Sequence, residues 1–247
     1  MIIDEIKAIL EKNGHDINSD VISRIETMLA SIRDDNQINK LDYIINWFNK
    51  KREESDMVVE EIGINDLDKW NVDPDTGNIK HESGGFFEVI GVKASNTFDR
   101  EVGKKGWTQP MIAKNPGGIL GIIMKRINGV PHYLLQAKAE PGNIGKLQLS
   151  PTLQATTSNL LKAHGGSKPL FAEYFDEENN PEIIYAKWQS EDGGRFHLKS
   201  NYNMIVEVKE ELEIPDSFIW VTLYQIKQLM KIENFVGPHV RGIISYL

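Results

Sequence analysis

Apolar residues recur at two different periods along this chain, and the change of period divides it. Over the first 54 residues the period is helical. Ile2, Ile6, Ile9 and Leu10 form one stripe, with Ile3 beside them. Val21, Ile22, Ile25, Met28, Leu29 and Ile32 form a second, and Leu41, Ile44, Ile45 and Phe48 a third. "NGHD" (13–16) breaks the first helix. From about residue 80 the pattern turns strand-like. "GFFEVIGVKA" (85–94), "EIIYAKW" (182–188) and "NMIVEV" (203–208) read as strands. "GILGIIMKRINGVPHYLLQAKA" (118–139) reads as two strands joined by Asn128-Gly129, a dipeptide suited to a two-residue hairpin turn. Two helical segments close the sequence. One starts at Thr222 with Gln225 three residues on, a capping box, and the other follows Gly237-Pro238. Pro151 after Ser150 predicts a short helix through 152–163, stopped by Gly165-Gly166. The expected architecture is α+β. A helical N-terminal arm over 1–56, for packing or dimerisation, precedes one module over 57–247.

Composition narrows the function. The chain has 247 residues, 40% of them apolar, so it can bury a sizeable core. No stretch approaches the ~20 apolar residues of a membrane span. The opening "MIIDEIKAIL" mixes acids with apolar residues and does not read as a signal peptide. Cysteine is absent, which removes disulfides, thiolate metal sites and a cysteine nucleophile, and a cytoplasmic protein is expected. The net charge of −8 argues against nucleic-acid binding, which needs a basic face. An anionic small ligand would need a local basic patch.

Candidate chemistry gathers in three stretches. In "AKAEPGNIGKLQLSPTLQATTSNL" (137–160), Lys138 and Glu140 share strand parity and point to one face. They are either a surface ion pair or a cation and a base at a pocket rim. Thr152, Gln154, Thr156, Ser158 and Asn159 can each donate and accept hydrogen bonds, as a sugar ligand requires; a solvated helix face has the same composition. In "WQSEDGGRFHLKSNYN" (188–203), two glycines let the backbone approach a ligand and Arg195 can clamp a phosphate, or the segment is an ordinary hairpin loop. In "DREVGKKGWTQP" (99–110), Arg100, Trp107 and Gln109 suit a nucleotide, or form a solvated basic turn. The six histidines show no metal-ligand spacing, and the chain lacks GxGxxG, P-loop and GxSxG signatures.

These stretches, with "HESGGFFEVIGVKA", "REVGKKGWTQPMI" and "FIWVTLYQIKQLM", occur in an order that resembles the NDP-hexose 2,3-dehydratase family. The resemblance runs from about Val58 to the end. It implies a Nudix-like mixed sheet with flanking helices, without the Nudix metal box. "VEVKEELEI" (206–214) imitates that box, but Val206 stands where its arginine belongs and Glu213 where its glycine does. It also implies a lyase acting on an NDP-linked, dTDP-linked by expectation, 4-keto-6-deoxyhexose. A base removes the acidified C3 proton, charge collects on the C4 oxygen, and the C2 hydroxyl leaves with help from an acid, giving a 3,4-diketo-2,6-dideoxy sugar. No cofactor and no metal are expected.

On that reading the base is Glu140 or Glu191, desolvation raising its pKa toward neutrality. Lys138 stabilises the enolate or protonates the leaving group, and His81 is a reserve acid/base. Gln136, Gln148, Thr152, Gln154, Thr156, Ser158 and Asn159 hold the sugar. Arg195, with Arg100 or Arg241, neutralises the diphosphate, and Trp107 or Gln109 meets the base. Family members typically carry two copies of the module and this sequence holds one, so two identical chains are expected to pair. A downstream 3-ketoreductase is the expected partner. The same enolate would also serve an isomerase or epimerase, and a non-catalytic sugar-nucleotide-binding subunit would keep only the pocket.

Overall fold

A computed structural model describes residues 2–36, 38–98, 100–114, 117–156 and 169–247. The three apolar stripes of the arm become helices α1 (Ile2–Lys12), α2 (Ser19–Ile32) and α3 (Leu41–Glu53). Asn18 caps α2, its side chain accepting from the Val21 amide at 3.0 Å. The stripe of α3 is no surface feature. Ile44 and Phe48 are fully enclosed, and the Phe48 ring lies 4.1 Å from that of Phe235.

Four strands then form an antiparallel sheet in chain order: β1 (Trp70–Val72), β2 (Ile79–His81), β3 (Glu88–Ala94) and β4 (Trp107–Ala113). The remaining seven build the main sheet. They are β5 (Gly118–Ile127), β6 (Val130–Ala139), β7 (Leu147–Ser150), β8 (Leu153–Thr156), β9 (Glu182–Ser190), β10 (Ser200–Glu207) and β11 (Phe218–Thr222). The order is β11-β6-β5-β10-β9, with β7 on β6 and β8 on β5. β5 and β10 run parallel and the other pairs antiparallel, so the sheet is mixed. The α+β architecture is as expected.

The hairpin turn is where Asn128-Gly129 puts it, with φ of 51° and 81°. β5 and β6 pair from Ile127–Val130 back to Ile123–Leu134 and then part. Beyond the fork β8 takes Gly118–Gly121 of β5, and β7 takes Gln136–Ala139 of β6. Thr152 sits at the fork. Its hydroxyl accepts from the Ile123 amide at 2.9 Å and donates to the Leu134 carbonyl, two groups that the parting strands would otherwise leave unpaired. The predicted helix at 152–163 is therefore corrected where it can be seen: residues 153–156 are strand, and 157–163 lie outside the described residues.

Alternating residues bury both faces of the main sheet. Leu120, Ile122, Tyr133, Leu135, Ile205 and Val221 pack with α3, α4 (Leu223–Leu229) and α5 (Pro238–Ile244). Ile123, Leu134, Met204, Val206 and Trp220 pack against Phe171, Ala172 and Phe175 on the other face. The capping box at Thr222 and Gln225 forms as read. Gln225 also binds the arm, donating to the Asn39 carbonyl at 2.8 Å and accepting from Asn36 at 2.5 Å. The acidic segment after β10 is not helical: Glu210, through its carbonyl, and Glu211, through its carboxylate, grip the buried Lys125 ammonium at 2.9 and 2.6 Å.

Candidate active site

Forking β5 from β6 opens a cavity of about 650 Å³ at the end of the main sheet. Each wall comes from a different element. The end of β6 delivers Lys138, and β8 delivers Gln154 and Thr156. The β9–β10 loop delivers Glu191, Asp192, Phe196 and Lys199, and β10 adds Asn201. Pro238 and His239 come from the first turn of α5. Ile112 of β4 and Phe87, the residue before β3, close it from the side of the four-stranded sheet. A second space of about 450 Å³ adjoins it and shares Leu120, Glu191, Pro238 and His239.

Hydrogen bonds fix the loop that carries Glu191. Ile112 of β4 donates to the Arg195 carbonyl at 2.8 Å and accepts from the His197 amide at 2.8 Å. Gln109 donates to the Gly194 carbonyl at 2.6 Å and accepts from the Trp107 indole at 2.7 Å. The four-stranded sheet thus clamps the loop to the cavity, and Trp107 and Gln109 serve that clamp.

Two half-buried carboxylates are each held by an amide. Gln154 Nε2 donates to Glu140 Oε1 at 2.9 Å, and Lys138 Nζ lies 3.4 Å from the same oxygen. Glu140 therefore stands behind Lys138 and Gln154, outside the described cavity wall. Asn201 Nδ2 donates to Glu191 Oε1, and Asn201 Oδ1 accepts from the Gly118 amide at 3.0 Å. His239 Nδ1 lies 4.0 Å from the same Glu191 oxygen. Burial holds the His239 imidazole below its ordinary pKa; Glu191 and Glu140 oppose that shift, and Lys138 and Lys199 add to it. Burial likewise lowers the Lys199 ammonium, with Glu191 opposing, while its Nζ rests 5.1 Å from the centre of the Phe196 ring.

The structure thus gathers Lys138, Gln154, Thr156 and Glu191 on one wall system, with Glu140 behind. Other expected residues sit elsewhere. Thr152 is buried at the strand fork and its hydroxyl is spent on backbone groups. His81 bonds Ser83 in the β2–β3 turn at 2.8 Å and packs against Trp70 and Phe86. Arg100 lies over the Trp107 ring and Arg195 pairs with Asp192; both are exposed, as is Arg241 on α5. Gln136 and Gln148 face each other's strands in the β6–β7 ladder, outside the cavity. Ser158 and Asn159 lie outside the described residues. The cavity lining mixes the signs of charge, with Lys138 and Lys199 alongside Glu191 and Asp192, where an anionic ligand called for a local basic patch. Sequence reasoning missed Lys199, Asn201 and His239. The only local signal was the Gly-Pro helix start that sets His239. Among the described residues no group of three or more His, Asp or Glu side chains is arranged to hold a metal ion. No helix among them is long and apolar enough to cross a membrane.

The family model for NDP-hexose 2,3-dehydratases matches residues 41–247. This chain belongs to the NDP-hexose 2,3-dehydratase family. The match begins at the first residue of α3, the arm helix that enters the core. Three relatives carry the name dTDP-4-dehydro-6-deoxy-alpha-D-glucopyranose 2,3-dehydratase. The one from Amycolatopsis orientalis is 41% identical over 204 residues, 81% of this chain and 43% of its own. That from Saccharopolyspora spinosa is 39% identical over 199 residues, 81% and 40%. That from Streptomyces violaceoruber is 35% identical over 202 residues, 81% and 45%. The chain thus spans less than half the length of each. Among solved structures, a C. elegans Ap4A hydrolase is 11% identical, covering 53% of this chain and 98% of its own with a TM-score of 0.29. A Nudix hydrolase from M. smegmatis is 15% identical, covering 63% and 97% with a TM-score of 0.33.

Proposed function

We propose that this member of the NDP-hexose 2,3-dehydratase family eliminates water across C2–C3 of an NDP-4-keto-6-deoxyhexose, with dTDP as the nucleotide. The observation that carries the reading is the convergence of Lys138, Gln154, Glu191, Lys199, Asn201 and His239 on one cavity. Elimination beside a ketone needs a cation at the developing enolate oxygen, a group that moves the C3 proton, and a proton for the departing hydroxyl. Lys138, whose Nζ lies 3.4 Å from Glu140 Oε1, meets the C4 oxygen on this reading. Lys199 meets the diphosphate in place of the arginines expected from sequence. Gln154 and Thr156 hold sugar hydroxyls.

The relatives' printed names supply the substrate class. A cytoplasmic homodimer working with a 3-ketoreductase is the setting this reading implies. Incubation with dTDP-4-keto-6-deoxyglucose and a 3-ketoreductase to trap the diketone tests it. Loss of the C2 oxygen is expected. Solvent hydrogen exchange at C3 with the oxygen retained identifies an isomerase instead.

A further inference from the structure

Resting on the dehydratase reading, we propose that His239, rather than Glu140 or Glu191, is the base that removes the C3 proton. The first observation is position. His239 stands at the start of α5 on the wall shared by the two adjoining cavities, so a ligand spanning both must pass it.

The second is what the carboxylates already do. Glu140 Oε1 is taken by Lys138 and Gln154, and the side chain stands off the cavity wall. Glu191 is held by Asn201, which is itself anchored to the Gly118 amide. That leaves Glu191 as the carboxylate beside the imidazole: its Oε1 lies 4.0 Å from Nδ1, beyond a hydrogen bond here and close enough to become one when substrate tightens the site. Nδ1 is the ring nitrogen on the Glu191 side, so the proposed transfer falls to Nε2.

The third is protonation. Burial in this cavity favours the uncharged ring, Lys138 and Lys199 add to that preference, and Glu191 and Glu140 offset it. A neutral imidazole near neutral pH is a competent base.

The step balances on one side chain. Nε2 takes the C3 proton as the C3–H electron pair moves toward the C4 carbonyl, whose oxygen becomes the enolate beside Lys138. The enolate pair then forms the C2–C3 double bond as the C2–O bond breaks. The imidazolium, stabilised by Glu191, returns its proton to the departing oxygen. Water leaves, the ring is neutral again, and the enol ketonises.

The test uses the whole chain with dTDP-4-keto-6-deoxyglucose and a trapping 3-ketoreductase, with dTDP binding followed by calorimetry. H239Q and H239N are expected to lose about a hundredfold or more in kcat, with dTDP affinity within about threefold of wild type. H239A is expected to regain activity when imidazole is added, a response that a packing role would not give. In E191Q the acid limb of the pH–rate profile should move, because the ring loses a carboxylate neighbour. A smaller fall in both conservative variants, or no rescue of H239A by imidazole, overturns the assignment. An inactive wild-type chain overturns it together with the dehydratase reading, an outcome distinct from an active wild type with an unimpaired H239Q.

Discussion

Asn201 joins Glu191 to the sheet: its Nδ2 donates to Glu191 Oε1 while its Oδ1 accepts from the Gly118 amide at 3.0 Å. A single buried side chain thereby sets where a cavity carboxylate stands. Replacing it with leucine keeps the branched shape, though with a larger volume, and removes both bonds. Asn201→Leu should lower kcat/KM by roughly 10- to 100-fold, the worth of about 1.5–3 kcal/mol for a bond to a charged group. Steady-state kinetics with the trapped product measures this; an unchanged kcat/KM would show that Glu191 needs no such support.

Thr152 gives a prediction of the opposite kind, on stability alone. Valine is close in shape but leaves the Ile123 amide and the Leu134 carbonyl without partners at the fork. Thr152→Val should cost about 1–3 kcal/mol for each buried group left unpaired. Chemical denaturation reads it, and dTDP affinity should stay unchanged. A large loss of ligand affinity with normal stability would return Thr152 to the sugar site.

Thr152 also shows why the sequence was only partly legible. Signals carried by neighbouring residues held: the Asn128-Gly129 hairpin, the Thr222–Gln225 capping box and the helix after Gly237-Pro238 all formed where they were read. Pro151 failed, because a proline before a polar run opens a helix or joins two short strands equally well, and only the fork between β5 and β6 decides. The site was legible in proportion to locality. Lys138 and Glu140 were readable from strand parity, and the interaction of Glu191 with His239 crosses 48 residues that no spacing rule links. Arg195 misled for the converse reason: its partner, Asp192, lies three residues away in the same loop.

Gly121 carries a packing prediction. A Cβ there would stand 2.2 Å from Cε1 of the Phe175 ring, which is fully enclosed and cannot yield cheaply. Gly121→Ala should destabilise the fold by about 1–3 kcal/mol. Gly91→Ala is the control, since nothing lies within 4 Å of the added carbon. Equal denaturation midpoints for the two would contradict the packing account.

His132 makes stability depend on pH. The ring is enclosed, with Nδ1 2.8 Å from the Val130 carbonyl, and burial lowers its pKa from 6.5. The unfolded chain therefore protonates first as pH falls. Stability is full above 6.5 and declines below it until the folded value is passed. His132→Asn should flatten that decline between pH 7 and 5, by at most ~1.4 kcal/mol per pH unit. Denaturation of both chains across this range is the check, and identical slopes would exclude His132 as a source.

The most direct measurement is the fate of the C2 oxygen. Purified chain, dTDP-4-keto-6-deoxyglucose and a 3-ketoreductase are combined, and the trapped sugar is weighed by mass spectrometry. The account predicts a trapped sugar lighter by one oxygen, having lost one water from C2 and C3 and regained two hydrogens at C3 from the reductase and its hydride donor. A sugar that keeps its C2 oxygen after complete incubation, while dTDP still binds, would contradict it.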